Sequence, residues 1–150
     1  MTRPRLGRVT TAWHLTRLGP IYLAYGAFKR LVPIRTLARW SWRPARGTSR
    51  NLDAEQRLVS SVLRLSRASG SDRDCLQRSL VLYRELSRAG ADPTLVVGFR
   101  RTDRGLEGHA WVETDGVPVA EPTVREQGFE TTCAFGRGGN LVVLRKSPSA

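Results

Sequence analysis

The hydrophobic pattern of this 150-residue chain changes period once, near Pro93. Before that proline, apolar residues recur at helical spacing; after it come short β-branched and aromatic runs bounded by glycine and proline. Helices followed by strands, with no internal repeat, predict one α+β domain with its helices on one face of a small antiparallel sheet. A chain of this length buries roughly 68–70% of its unfolded surface, enough for a core without disulfides or a structural metal. The longest apolar stretch, Ile21 to Phe28, is stopped by Lys29 and Arg30, well short of the ~18 residues a membrane-spanning helix needs. The N-terminus lacks the order of a secretory signal, and with only two cysteines the chain is expected in a reducing cytoplasm.

Leu15, Leu18, Tyr22, Tyr25 and Phe28 are spaced for an amphipathic helix, and Pro20 and Pro33 read as starts or breaks that divide the region into two short helices. Trp40 and Trp42 are read as covers of the core, with a membrane interface as the rarer alternative. The segment from Arg43 to Asn51 reads as a linker. Asp53 followed by Gln56 resembles a capping box for a helix carrying Leu58, Val62 and Leu65 and ending at Gly70. A second start, Ser71 to Asp74, precedes the stripe Leu76, Leu80, Tyr83 and Leu86, closed by Gly90 and Pro93. Strands are predicted at Thr94–Arg100, Gly108–Glu113, Val117–Glu121 and Leu141–Arg145.

Charge divides the chain again. Residues 1–50 hold 11 of the 25 Lys and Arg and no acid, whereas residues 51–150 hold 14 basic against 13 acidic residues. The division predicts a basic helical segment, 1–50, ahead of a nearly neutral domain, 51–150. Its basic face would suit an acidic peptide, a partner protein or the surface of a membrane. His14 lies in this segment and is read as a packing or surface residue.

Chemistry concentrates at the next helix start. Cys75 falls in a first helical turn, where unpaired N–H groups and the macrodipole favour a thiolate. Arg73 and Arg78 add to that effect and Asp72 and Asp74 oppose it. A buried structural cysteine is the competing reading, and position alone does not choose between them. His109, in GHAWVE, lies on a predicted strand, so the two parts of a thiolate–imidazolium pair are present. A third group must orient the ring. A three-residue turn, Thr114 to Gly116, would pair Glu113 with Val117 and set His109 opposite Glu121; a two-residue turn would set Glu121 opposite Ala110. Glu121 is therefore the preferred orienter and Glu113 its rival. Trp111 could wall the cleft or lie in the core. Cys133 reads as a free thiol in a loop with no zinc-ligand spacing around it, and Gly136 to Gly139 lacks the ending of a phosphate loop. No metal or cofactor is expected.

The run DCLQRSLVLYRELSRAG, then LVVGFR, then GHAWVETDGVPVAE, resembles the leader peptidases of lasso-peptide maturation, bacterial transglutaminase-like cysteine proteases, over about residues 53–122. The resemblance implies a transglutaminase-like, papain-like core with a Cys75, His109 and Glu121 triad, although the family's third residue is often Asp. It implies hydrolysis of the bond between leader and core peptide: Cys75 passes its proton to His109 and attacks, and water then releases the acyl group. The Cys75 N–H would serve the oxyanion, with Gln77 and Gln56 as side-chain candidates. No leader-recognition domain fits within residues 1–50, so the resemblance is to the split form. Its implied partners are the precursor peptide, a separate leader-binding protein and a macrolactam synthetase. Two alternatives remain: transglutaminase-like acyl transfer to an amine, and a non-catalytic basic module binding nucleic acid or membrane.

Overall fold

The computed structural model describes residues 6–47, 49–70 and 74–142. Four helices precede a five-stranded antiparallel sheet: α1 (Leu6–Phe28), α2 (Ile34–Ser41), α3 (Leu52–Ala68), α4 (Cys75–Arg88), β1 (Thr94–Thr102), β2 (Gly105–Thr114), β3 (Val117–Pro118), β4 (Glu130–Phe135) and β5 (Leu141–Val142). The strand order is β3-β2-β1-β4-β5. The α+β class read from the sequence is the observed one. Ser71, Asp72, Arg73 and everything after Val142, including the end of the last predicted strand, lie outside the described residues, as do the side chains of Trp13, His14 and Leu15.

Pro20 does not divide α1, which runs 23 residues through it. An interior proline costs a helix about 3 kcal/mol. Burial of Leu18, Tyr22 and Tyr25 in the main core offsets that cost, because each buried side chain of this kind contributes roughly 1.5–3 kcal/mol. Pro33 does start a helix, standing at the N-cap of α2. The cap of α3 is Asn51, whose side-chain oxygen accepts from the Ala54 N–H at 2.9 Å, and not Asp53; Glu55 is drawn instead to Arg50. At the other end of α4, Gly90 adopts φ 87°, and its N–H and that of Ala91 return to the carbonyls of Ser87 and Leu86. That pairing closes the helix and turns the chain into β1.

Two clusters sandwich the sheet. Leu80, Val81, Leu82 and Leu86 of α4 pack with the α1 residues, Leu95 of β1, Val112 of β2 and Phe135 of β4. The opposite face carries a smaller cluster of Val96, Trp111, Val124 and Ala134, with Phe129 against it. Residues 1–50 thus share the main core with the residues that follow, through Leu18, Tyr22, Tyr25, Leu37 and Ala38. The Gly136–Gly139 run makes no phosphate loop. Its Gly136 carbonyl accepts from the Tyr83 hydroxyl, and Gly139 lies so close to α2 that a Cβ there would stand 2.5 Å from the Arg39 backbone.

Three expectations about the sheet need correction. Residues 130–135 form a strand, so Cys133 lies on β4 and not in the loop that the sequence predicts for it. The β2–β3 turn has two residues, Asp115 (φ 54°) and Gly116 (φ 74°), the double positive φ of a tight hairpin. It pairs Thr114 with Val117 and Glu113 with Pro118, so the three-residue register is not the observed one. Finally, β3 ends at Pro118 and not at Glu121, with one further bond from the Val119 N–H to the Val112 carbonyl.

Candidate active site

The shortness of β3 builds the site. Beyond Val119 no described strand pairs with the edge of β2, and side chains from the N-terminal half of α4 reach its backbone there. The Ser79 hydroxyl donates to the Ala110 carbonyl at 2.8 Å, and one turn earlier the Ala110 N–H favours the ionised form of Cys75. The same strand supplies the neighbouring residue, so His109 stands beside Cys75, close enough for each to shift the other's proton affinity.

Glu121 reaches the ring without the register that had been expected to bring it there. The chain bends at Val119 and Ala120, and one carboxylate oxygen, Oε2, lies 2.6 Å from His109 Nε2, which leaves Nδ1 toward the sulfur. The other oxygen accepts from the guanidinium of Arg78, a partly buried α4 residue three positions after the cysteine. Arg78 was read from the sequence only as positive charge near the thiol. Its position one helical turn after Cys75 was the available signal, since residues three apart share a helix face. The rival, Glu113, is otherwise engaged: it accepts from Trp111 Nε1 at 2.9 Å and from Arg125 at 3.0 Å. The His109 ring stacks with two aromatic rings, Phe129 at 4.9 Å and Trp111 at 6.2 Å between centroids. Trp111 is thus both core and wall. Phe129, which sequence reasoning passed over, forms the nearer wall, with the Arg100 guanidinium 4.5 Å from its centroid.

The protonation balance follows from these contacts. Burial pushes the Cys75 thiol up, but the hydrogen bond with His109, the N–H groups of Ala110 and Leu76 and the charge of the ring outweigh it and hold the thiol below its ordinary value. His109 is raised to about 9, chiefly by its bond to Cys75 and then by Glu121, against the opposing effect of burial. Burial alone would raise Glu121, yet its bond to His109 and the charge of Arg78 keep the carboxyl below its usual range. A thiolate facing an imidazolium, with an ionised carboxylate behind it, is the state these shifts favour.

The helix mouth is kept for an anion. Asp74, at the N-cap of α4, makes no side-chain cap; its carboxylate pairs with Lys29 at the end of α1. The Cys75 N–H is one of the first-turn donors with no intrahelical acceptor. Neither amide suggested for the oxyanion is placed for it. Gln77 is buried, donates to the Tyr22 carbonyl at 2.5 Å and accepts from Lys29 at 3.2 Å, while exposed Gln56 lines a groove between α3 and β3. Among the described residues no group of three or more His, Cys, Asp or Glu converges as a metal site.

A cysteine at a helix start, a histidine on the adjacent strand and a carboxylate after the next hairpin can perform acyl transfer through a thioester. The family model described as the transglutaminase-like superfamily matches residues 16–134. The chain belongs to that superfamily. The match begins inside α1 and ends on β4, so the latter part of α1 and the whole of α2 fall within it. Searches of curated proteins and of solved structures return no significant match. For this transglutaminase-like domain, the superfamily carries cysteine-protease and acyltransferase chemistry on an α+β frame, and no described helix is long and apolar enough to cross a membrane.

Proposed function

We propose that this transglutaminase-like protein is a cysteine peptidase that removes the leader from a lasso-peptide precursor, with Cys75 as nucleophile, His109 as acid and base, and Glu121 as the orienting carboxylate. The observation that carries the reading is the placement of His109 beside Cys75 at the start of α4, with Glu121 hydrogen-bonded to the ring at 2.6 Å. The Cys-Leu-x-Arg-Ser-Leu and His-Ala-Trp-Val-Glu runs support the narrower assignment to leader removal.

In the reaction, the thiolate of Cys75 adds to the scissile carbonyl while the helix-mouth N–H of Cys75 receives the oxyanion. The carbon–nitrogen bond breaks as His109 gives its proton to the leaving amine, which departs as the core peptide. Water, deprotonated by the now neutral ring, attacks the thioester; the leader leaves with a new carboxylate and the thiolate–imidazolium pair is restored. Glu121 keeps the ring oriented and its cation stabilised throughout. Phe129 and Trp111 hold the ring plane. The precursor would come on a separate leader-binding protein, and a macrolactam synthetase would consume the freed amine, in the cytoplasm where the precursor is translated.

Incubation of the protein with a lasso precursor, its leader-binding protein and a labelled amine tests this directly by mass spectrometry. The expected products are intact leader ending in a free carboxylate and core with a free amine. Label on the leader's new terminus would replace hydrolysis with amine transfer; no cut at all would remove the leader-peptidase reading.

A further inference from the structure

The far end of α4 carries an arrangement that the triad does not use. Arg84 and Arg88 converge there with Arg43 and Arg46 of the linker between α2 and α3 around a cleft of about 230 Å³, whose other described lining residues are Pro44 and Ala45. Four arginines thus line one cleft, with no carboxylate among its described walls. A neighbouring hollow of about 240 Å³ shares Arg46 and Arg88 and is lined by the buried Glu85, which is already shared by Arg17, Arg84 and Arg88. Among the described residues that line the two hollows there are five arginines and one acid, Glu85.

The cluster is built into the fold and is not a fringe of long surface chains. The side chains of Arg84 and Arg88 are only 19% and 14% exposed, and the Arg46 N–H donates to the Arg88 carbonyl, fixing the linker over the helix end. Arg43 is held by bonds from Nη1 to the carbonyls of Trp40 and Trp42. Arg84 Nε is fully buried with no hydrogen-bond partner and lies 3.5 Å from Glu85 Oε1, an ion pair without a hydrogen bond. Crowding is felt electrostatically: burial lowers the affinity of Arg88 for its proton, Glu85 opposes this, and Arg17, Arg46 and Arg84 add to the lowering. The α4 carbonyl terminus accounts for one or two cations at this end, but not for four around a concave surface.

We infer that the cleft formed by Arg43, Arg46, Arg84 and Arg88 is a binding site for a phosphate group carrying two negative charges. Its volume suits one or two phosphoryl groups. A phosphate monoester brings about −1.5 to −2 charge at pH 7 in a compact group, whereas a single carboxylate would leave most of the repulsion in place. Planar guanidinium forks match phosphate oxygens in pairs. The site stands about 20 Å from Cys75, the span of the thirteen residue steps of α4 at 1.5 Å each. Its occupancy therefore does not depend on the triad.

Calorimetric titration of the full chain with sodium phosphate and with sodium pyrophosphate, each against sodium chloride of equal ionic strength, tests the inference. Saturable one-to-one binding of pyrophosphate is expected, equal in the Cys75→Ala protein. It should weaken about tenfold in Arg46→Gln, an exposed position whose change spares the Glu85 network, and about as much in Arg88→Gln if that variant folds. Arg57→Gln, on exposed α3 surface, should bind as the unaltered chain does. Sedimentation with vesicles containing phosphatidic acid separates the sources: Arg46-dependent binding there, with none of the soluble ions, places the phosphate on a lipid headgroup. Heats no larger than those of chloride together with no Arg46-dependent vesicle binding, or equal losses in Arg46→Gln and Arg57→Gln, would overturn the inference.

Discussion

Replacing Cys75 with alanine is expected to abolish precursor cleavage, a fall of at least about 10⁴-fold in rate, because removal of a nucleophile leaves only the binding and oxyanion contributions. The fold should survive. Cys75 is partly exposed at a helix start, and Ser79, one turn later, keeps its bond to the Ala110 carbonyl and holds α4 against β2. Circular dichroism and the thermal midpoint should therefore match the unaltered protein, while mass spectrometry of the precursor shows no cut. The second cysteine supplies the control. Cys133 lies on β4, packs against the core, and is pushed up by burial with no base beside it. Cys133→Ala should cost stability of about 1 kcal/mol or less and leave the rate almost unchanged. Unaltered precursor processing in Cys75→Ala would leave the domain as a binding module.

Glu121→Gln is expected to lower kcat/KM by about 10² to 10⁴, the range over which a positioned acid–base system contributes. The neutral amide still fits the space but no longer stabilises the imidazolium or holds it against Arg78. The sign of the pH effect follows from the contacts. In the unaltered protein, activity rises as Cys75 ionises, below the ordinary thiol range, and falls as His109 loses its proton near pH 9. Without the carboxylate the ring binds its proton less tightly, so the alkaline limb moves to lower pH, and the less cationic ring moves the acid limb to higher pH. The profile should narrow from both sides. Arg78→Gln should act on the same array more weakly, about tenfold, by letting Glu121 take a proton at higher pH. Arg78→Lys should recover part of that loss by restoring the charge. A profile merely scaled down, with both limbs in place, would mark Arg78 as a packing residue.

The helical half of the fold was legible because its signals are local. Leu76, Leu80, Tyr83 and Leu86 lie along one face of α4, all at least partly buried, and Gly90 ends it. The continuity of α1 across Pro20 was not legible, since the penalty of the proline is local and the burial of Tyr22 and Tyr25 that offsets it is tertiary. The sheet was harder. Residues 130–135 give a short strand whose apolar part is largely Ala134 and Phe135, and their pairing with β1 depends on a bulge between Val97 and Gly98 that no nearby residue announces. The carboxylate partner of His109 was named through a register the protein does not use. A two-residue turn would have taken Glu121 away from the ring had β3 continued. The strand stops at Pro118, and the bend that follows swings Glu121 onto Nε2. Its extra methylene relative to Asp suits a carboxylate that approaches from outside the ladder and meets both His109 and Arg78.

The pH dependence of Cys75 alkylation by iodoacetamide, followed by mass spectrometry with Cys133 as internal comparison, measures the thiolate–imidazolium pair itself and needs neither precursor nor partner. Cys75 should react rapidly well below pH ~8.5, the ordinary midpoint of a thiol, and lose that advantage in His109→Ala. Cys133 should react slowly and only at alkaline pH. Equal rates at the two cysteines across the range, or a Cys75 midpoint at or above ~8.5 that His109→Ala does not move, would contradict the pairing on which the proposed chemistry rests.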